Sequence, residues 1–535
     1  MKKKAYIFLF ITLILLLSIT SPVNTTISGG RTIYAKDHII VKLKRNNLSA
    51  SGIEYESSVE KILKISGQIN VSVNDVKSLF PNGKKINQNL YNKYNMSNYF
   101  TVFINDDRDI PEICSLYEKN YEVEFAEPDF IGEAAGKKSF ENLSLKPNDE
   151  FFDRQWGLSN DGTVSTTSGR HGKSGADMNV LNGWDIEKGS DEVIVAILDS
   201  GVKLDHPDLR GRIWVNKNET RNGRDDDGNG YADDINGWNF AYSNSNVMDD
   251  GGHGTNIAGT IGAIANNSIG YAGIDQHCKL MICKDLDEEN KGEYSWWSSA
   301  LYYAASNGAR VINMSEGGYD YSKTLVTAVD YACDSGCLIV ASMMNQNNSD
   351  SYYPASLPNV MAVGATDTDD WRCRQFTWGG GSNWGKNISV VAPGNRIYGL
   401  DFKDNNNYDV YWSGTSQATA YVTGIASLLI SQDPSRTNKV LREIICSTAK
   451  DQVGDPREDV PGWDEYYGWG RVDLYDALSY GKTSNGKREI KDKNNENSSG
   501  DNDNNGNEQR AKALERKSSN DNGSRDEKRA KKIDR

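Results

Sequence analysis

Five histidines stand in a chain of 535 residues, so an imidazole able to move protons near neutral pH must come from His38, His171, His206, His253 or His277. His206 lies in a turn beside a proline, and His171 and His277 lie in polar loop contexts. His253 differs. It follows Asp249-Asp250-Gly251-Gly252 and opens Gly254-Thr255-Asn256-Ile257-Ala258-Gly259, whose small residues let a helix pack tightly beneath an exposed ring. Asp199 follows the apolar run Val193 to Leu198, and Ser416 opens a helical pattern with apolar residues at Val422, Ile425, Leu428 and Leu429. A carboxylate that orients an imidazole, and a serine that the imidazole deprotonates, perform acyl transfer. The dipole of a helix starting at Ser416 favours negative charge developing there. Taken singly, Asp199 reads equally as a turn residue and Ser416 as a helix cap.

Such groups need a scaffold that brings them together. From Pro147 to Tyr480, the apolar runs Val193 to Leu198, Lys279 to Cys283, Val311 to Met314, Leu338 to Ala341 and Val360 to Val363 alternate with small-residue helical patterns. Runs of this kind predict parallel strands buried on both faces, hence a doubly wound, mostly parallel α/β sheet with its site beyond the strands' carboxyl ends. Asp199 falls at such an end. Ahead of this region, Asp37 to about Gly136 offers strand-like runs at Ile39 to Leu43, Tyr99 to Ile104 and Val123 to Phe130, with a helix-like stretch from Pro111 to Tyr121. That pattern predicts a small α+β domain.

The termini carry different signals. Lys2, Lys3 and Lys4 precede the apolar run Ala5 to Leu17, too short for an ordinary membrane span, so residues 1–35 read as a signal peptide, with an uncleaved signal anchor as the alternative. After its removal no other long apolar stretch remains. Residues 481–535 lack aromatics and are dominated by Asn, Asp, Lys, Glu, Arg and Ser, the composition of a disordered charged tail. The net charge of −14 argues against nucleic acid as a partner and suits bound cations. Seven cysteines show no zinc spacing; Cys278 with Cys283, and Cys333 with Cys337, fit buried thiols as well as bridges.

Four segments in the order Asp, His, Ser resemble the subtilisin family: Ile197-Leu198-Asp199-Ser200-Gly201-Val202, His253-Gly254-Thr255, Val311-Ile312-Asn313-Met314-Ser315 with Gly317-Gly318, and Gly414-Thr415-Ser416. The resemblance runs from Pro147 to Leu478, marking 147–480 as the catalytic domain. It implies a secreted serine endopeptidase acting on polypeptides as a monomer, with Ser416 as nucleophile, His253 as general base and Asp199 as orienting carboxylate. It also implies Asn345 as an oxyanion-hole donor, and Ser315, Glu316 and Gly317 as an edge that pairs with extended substrate. A catalytically silent binding protein of this fold would lack a triad group, and none is missing. Departures are Asn256 for a second histidine, Met344 for a glycine, and Ala420 for a proline. Glu316 replaces an apolar residue, and Tyr352 would narrow the primary pocket, which points to small or polar residues before the cut, or basic ones near Glu316.

The same resemblance makes residues 37–136 an intramolecular chaperone and inhibitor, removed by Ser416 within the polar stretch Gly132 to Leu145. The run Asp225 to Asp234 spaces oxygen donors at Asp225, Asp227, Asn229 and Asp233 with glycine sixth, as calcium loops do, without the distal glutamate of an EF-hand. A second calcium site is implied by resemblance at Asp149, Asp208 and Asn267, with backbone carbonyls near Ile264, Ile269 and Tyr271.

Overall fold

The computed structural model describes residues 33–44, 53–83, 87–135, 137–140 and 151–481. The expected leader up to residue 32, the tail from residue 482, and Asp149 lie outside the described residues.

Seven parallel strands form the central sheet, in the order Ile388–Pro393, Val360–Thr366, Leu338–Ser342, Val311–Met314, Ile194–Asp199, Lys279–Lys284 and Gly237–Asn239. Because side chains alternate across a strand, Val195 and Ile197 enter one core while Ala196 and Leu198 enter the other. The first core is covered by the helices His253–Gly262 and Thr415–Gln432, the second by Tyr294–Ser306 and Lys323–Asp334. Helices on both faces make this the doubly wound sheet that the apolar runs predict.

The amino-terminal domain has its own antiparallel sheet, ordered Val73–Ser78, Tyr99–Ile104, Tyr34–Leu43 and Val123–Ala134, with a separate apolar core. It begins three residues ahead of the expected start at Asp37. Tyr34 and Ala35, assigned to the leader from sequence, are buried in the first strand, and Tyr34 Oη donates to Asp109 at 2.9 Å. Two carboxylates of this domain cap helices of the catalytic region. Glu127 accepts from the backbone N–H groups of Lys323 and Thr324, each at 3.0 Å, and Asp129 accepts from Ser295 N–H at 2.8 Å. Those N–H groups belong to first turns with no intrahelical acceptor, so the caps tie the domains together at about 1 kcal/mol each.

All seven cysteines are thiols, and no disulfide is present. Among the described residues no helix is long and apolar enough to cross a membrane.

Candidate active site

Asp199 ends its strand, and His253 begins the helix that packs against it. A Cβ at position 254 would lie 3.1 Å from Asp199 Oδ1, so the glycine after the histidine permits the close approach. Nδ1 of His253 lies 2.8 and 2.9 Å from the two Asp199 carboxylate oxygens. Asp249 holds the turn leading to the ring: its Oδ1 accepts from Ser200 Oγ at 2.8 Å and from Gly252 N–H at 2.7 Å, and its Oδ2 accepts from Thr255 N–H at 2.9 Å. The ring, expected to be exposed, is fully buried, with Trp412 edge-on at 5.1 Å, and its Nε2 has no hydrogen-bond partner.

Ser416 is the second residue of the helix Thr415–Gln432, whose cap is Gly414. Its Oγ donates to the Ser315 carbonyl at 2.9 Å, not to His253. The two helices pack together and are joined by Gln417 Nε2, which donates to Asn256 Oδ1 at 3.0 Å. This bond is what Asn256 supplies in place of the family's second histidine. Asn345 approaches the same helix end: its Oδ1 accepts from Thr415 N–H at 2.9 Å, leaving Nδ2 as the donating end of the side chain. Met344 before it has φ 71°, the left-handed region where glycine is at ease, so methionine there carries strain of about 1–3 kcal/mol.

The groove above Ser416 holds a stretch of the chain itself. Glu133 and Ala134 pair antiparallel with Gly317 and Glu316, while Ile131, Gly132 and Glu133 pair with Glu293, Gly292 and Lys291 on the other edge. Ala135 N–H donates to the Ser315 carbonyl at 2.8 Å, and Ser416 N–H donates to the Ala135 carbonyl at 3.2 Å. Beyond residue 136, Lys137–Phe140 pairs antiparallel with Val410–Ser413. Ala135 therefore follows one paired segment and precedes another.

Ala135 is buried in a small apolar cluster with Met344 and Tyr352, against which Tyr319 packs. The rings of Tyr319 and Tyr352 are 4.3 Å apart, and their hydroxyls share a hydrogen bond. Glu316, read from sequence as a neighbour for basic residues, pairs with Ala134 of the segment in the groove. It is fully buried, its carboxyl has no hydrogen-bond partner, and burial followed by neighbouring Asp285 raises its pKa well above the usual range.

The acidic loop brings Asp225 and Asp227 together with Glu219, a residue the spacing did not reveal; carboxylate oxygens of the three lie within 4.8 Å of one another. Asn229 donates to Asp234 at 2.9 Å, and Asp233 accepts from Asn222 N–H at 2.8 Å, so these two brace the loop. At the second expected site Asp208 Oδ1 accepts from Asn267 Nδ2 at 2.6 Å and Oδ2 from Tyr271 N–H at 3.0 Å, while Asn267 Oδ1 accepts from Ile269 N–H at 2.9 Å. Burial pushes the Asp208 carboxyl up to about 6. Both donor sets are hard oxygens, and Asp208 is a buried carboxylate with no cationic side chain bonded to it, so both suit calcium.

One cluster had no signal in the sequence. His38 Nδ1 lies 2.7 Å from Asp37, and Nε2 lies 3.0 Å from both Asp129 and Glu293. Burial works to lower the His38 pKa, but Glu293, Asp129 and Asp37 together hold it well above the usual value.

A parallel sheet with an Asp–His pair at one strand's carboxyl end and a serine at a helix start defines a hydrolase scaffold of the serine-peptidase type. The chain belongs to the Subtilase family, whose signature matches residues 190–470, and it is a subtilisin-like serine peptidase. It is 32% identical over 372 residues to a thermophilic serine proteinase of Bacillus sp. (strain AK1), covering 69% of this chain and 76% of that protein. To thermitase of Thermoactinomyces vulgaris it is 34% identical over 297 residues, covering 56% of this chain and 92% of that one. Among solved structures, fervidolysin of Fervidobacterium pennivorans, described as a keratinolytic enzyme related to subtilisin, shares the fold with a TM-score of 0.58 and 22% identity; the match covers 85% of this chain and 62% of that one.

Proposed function

We propose that the chain is the precursor of an exported serine endopeptidase that cuts itself between Ala135 and Gly136. The observation that carries this reading is the Ser416 N–H to Ala135 carbonyl bond at 3.2 Å, formed just past the end of a strand held by both edges of the groove. A carbonyl oxygen at that donor is where negative charge grows when the carbon becomes tetrahedral, and Asn345 Nδ2 is the second donor. Turning Ser416 Oγ from the Ser315 carbonyl toward His253 Nε2 prepares the first step. Oγ then bonds to the Ala135 carbonyl carbon and its proton passes to Nε2. His253 returns that proton to the Gly136 nitrogen as the C–N bond breaks. Water deprotonated by the same imidazole releases the acyl group, and Asp199 stabilises the imidazolium throughout.

The amino-terminal domain acts as inhibitor and folding template, and the leader read ahead of Tyr34 directs export. Calcium would be held by Glu219, Asp225 and Asp227, and by Asp208 with Asn267; bound there it would neutralise carboxylates and stiffen loops. A fluorophosphonate probe tests the reading: it is expected to label purified mature enzyme at Ser416. Labelling that persists in Ser416→Ala would remove this serine from the nucleophile's role.

A further inference from the structure

We infer that the mature enzyme selects peptides with glycine at the fourth residue before the cut and alanine, or a side chain no larger than serine, immediately before it. The inference rests on the active-site assignment above and deepens it, because the segment lying in the groove is then the enzyme's first substrate. Its fourth residue before the cut is Gly132, which faces Gly292 across the strand pair. A Cβ added at Gly132 would overlap Cη2 of Trp297 and come within 2.7 Å of the Gly317 carbonyl oxygen. Gly132 has no left-handed φ, so it is glycine for space and not for backbone conformation.

The indole cannot readily move aside. Trp297 is fully buried and stacked on Tyr294 at 4.8 Å and 25°, and a Cβ at Gly292 would overlap its Nε1. A pocket that would receive a side chain at this position is therefore already filled by the enzyme's own indole. Immediately before the cut, the space around Ala135 is closed by Met344, Tyr352 and the Tyr319 ring bonded to it. Gly317 leaves room for Met344, whose Sδ lies 3.0 Å from where its Cβ would stand. Glu133 between them is exposed, so the third residue before the cut is unconstrained.

The test uses mature enzyme counted by fluorophosphonate titration and four quenched peptides: Gly-Glu-Ala-Ala-Gly-Lys, its variants with Leu or Phe at the first position, and a variant with Phe at the fourth. Each replacement is expected to lower kcat/KM by roughly tenfold or more, since a closed apolar pocket rejects added bulk. Trp297→Ala should restore cleavage of the peptides with Leu or Phe first without restoring the one with Phe fourth; Tyr319→Ala should do the reverse. Titrated enzyme that cuts all four peptides at similar rates overturns the inference alone, whether or not the variants fold. An enzyme that takes up no probe overturns the nucleophile assignment and this inference with it.

Discussion

The Ser416 backbone amide donates to the carbonyl oxygen of Ala135 at 3.2 Å, joining the helix start of one domain to the residue that follows the strand leaving the other. If that bond marks the scissile carbonyl, mature enzyme begins at Gly136. Amino-terminal sequencing of the secreted product should find Gly136, and Ser416→Ala should remain uncut. The same cut in the Ser416→Ala protein, made in a protease-free host, would contradict self-processing.

Asn345 is anchored through Oδ1 to Thr415, which frees only its amide nitrogen for a developing oxyanion. Asn345→Ala should lower kcat by roughly 10²–10³ with little change in KM, the loss that one such donor causes in subtilisin. Steady-state kinetics on a peptide substrate decides it; a variant with unaltered kcat takes Asn345 out of the oxyanion hole.

Much of the sheet could be read directly because strands buried on both faces are mostly apolar: Val311–Met314 coincides with its run despite Asn313, and the neighbours differ by a few residues at their ends. Gly237–Asn239 could not, being a three-residue edge strand without a pattern, and Val73–Ser78 is too polar to signal a strand. In the candidate site, scarcity of histidine singled out His253. Trp297 and Glu219 gave no such clue, since a buried tryptophan and a loop glutamate are ordinary until the fold sets them against Gly132 and Asp227. His38 meets Glu293 from a different domain, a pairing that no local spacing encodes.

Calcium should stabilise the mature enzyme by binding only its folded form. At a hundredfold excess over Kd this amounts to about 2.7 kcal/mol per site. Scanning calorimetry in excess chelator should show a lowered Tm that calcium restores, and Glu219→Gln should weaken the response. An identical Tm in both conditions would leave these loops without an ion to hold.

His38 gives the stability of the uncut precursor a pH dependence with a definite sign. Glu293, Asp129 and Asp37 face the ring, and the docked imidazole holds its proton more tightly than a free one despite burial. Folding of the uncut precursor therefore takes up a proton at His38. Its contribution is complete below the ordinary histidine pKa of about 6.5 and is lost as pH rises through the raised value. The unfolding free energy of the uncut Ser416→Ala precursor should fall with pH across that window, by up to about 1.4 kcal/mol per pH unit, and His38→Gln should flatten the slope. A slope that survives in the variant assigns the effect to other groups.

The strand Val123–Ala134 belongs to two sheets in succession, pairing first with Tyr34–Leu43 and then with Glu316–Gly317 and Lys291–Glu293. The strand runs unbroken from the domain's own sheet to Ala134, next to the carbonyl that meets Ser416, so it works as a ruler. At about 3.3 Å per residue, removing Gly132 would draw the next peptide bond toward the serine, set Glu133 in its place beside Trp297 and turn alternate side chains to the opposite face. The closed pockets around Trp297 and Tyr352 would then meet the wrong residues. Length and side-chain fit must agree before the chain is cut, which makes maturation a check on the register of the whole precursor.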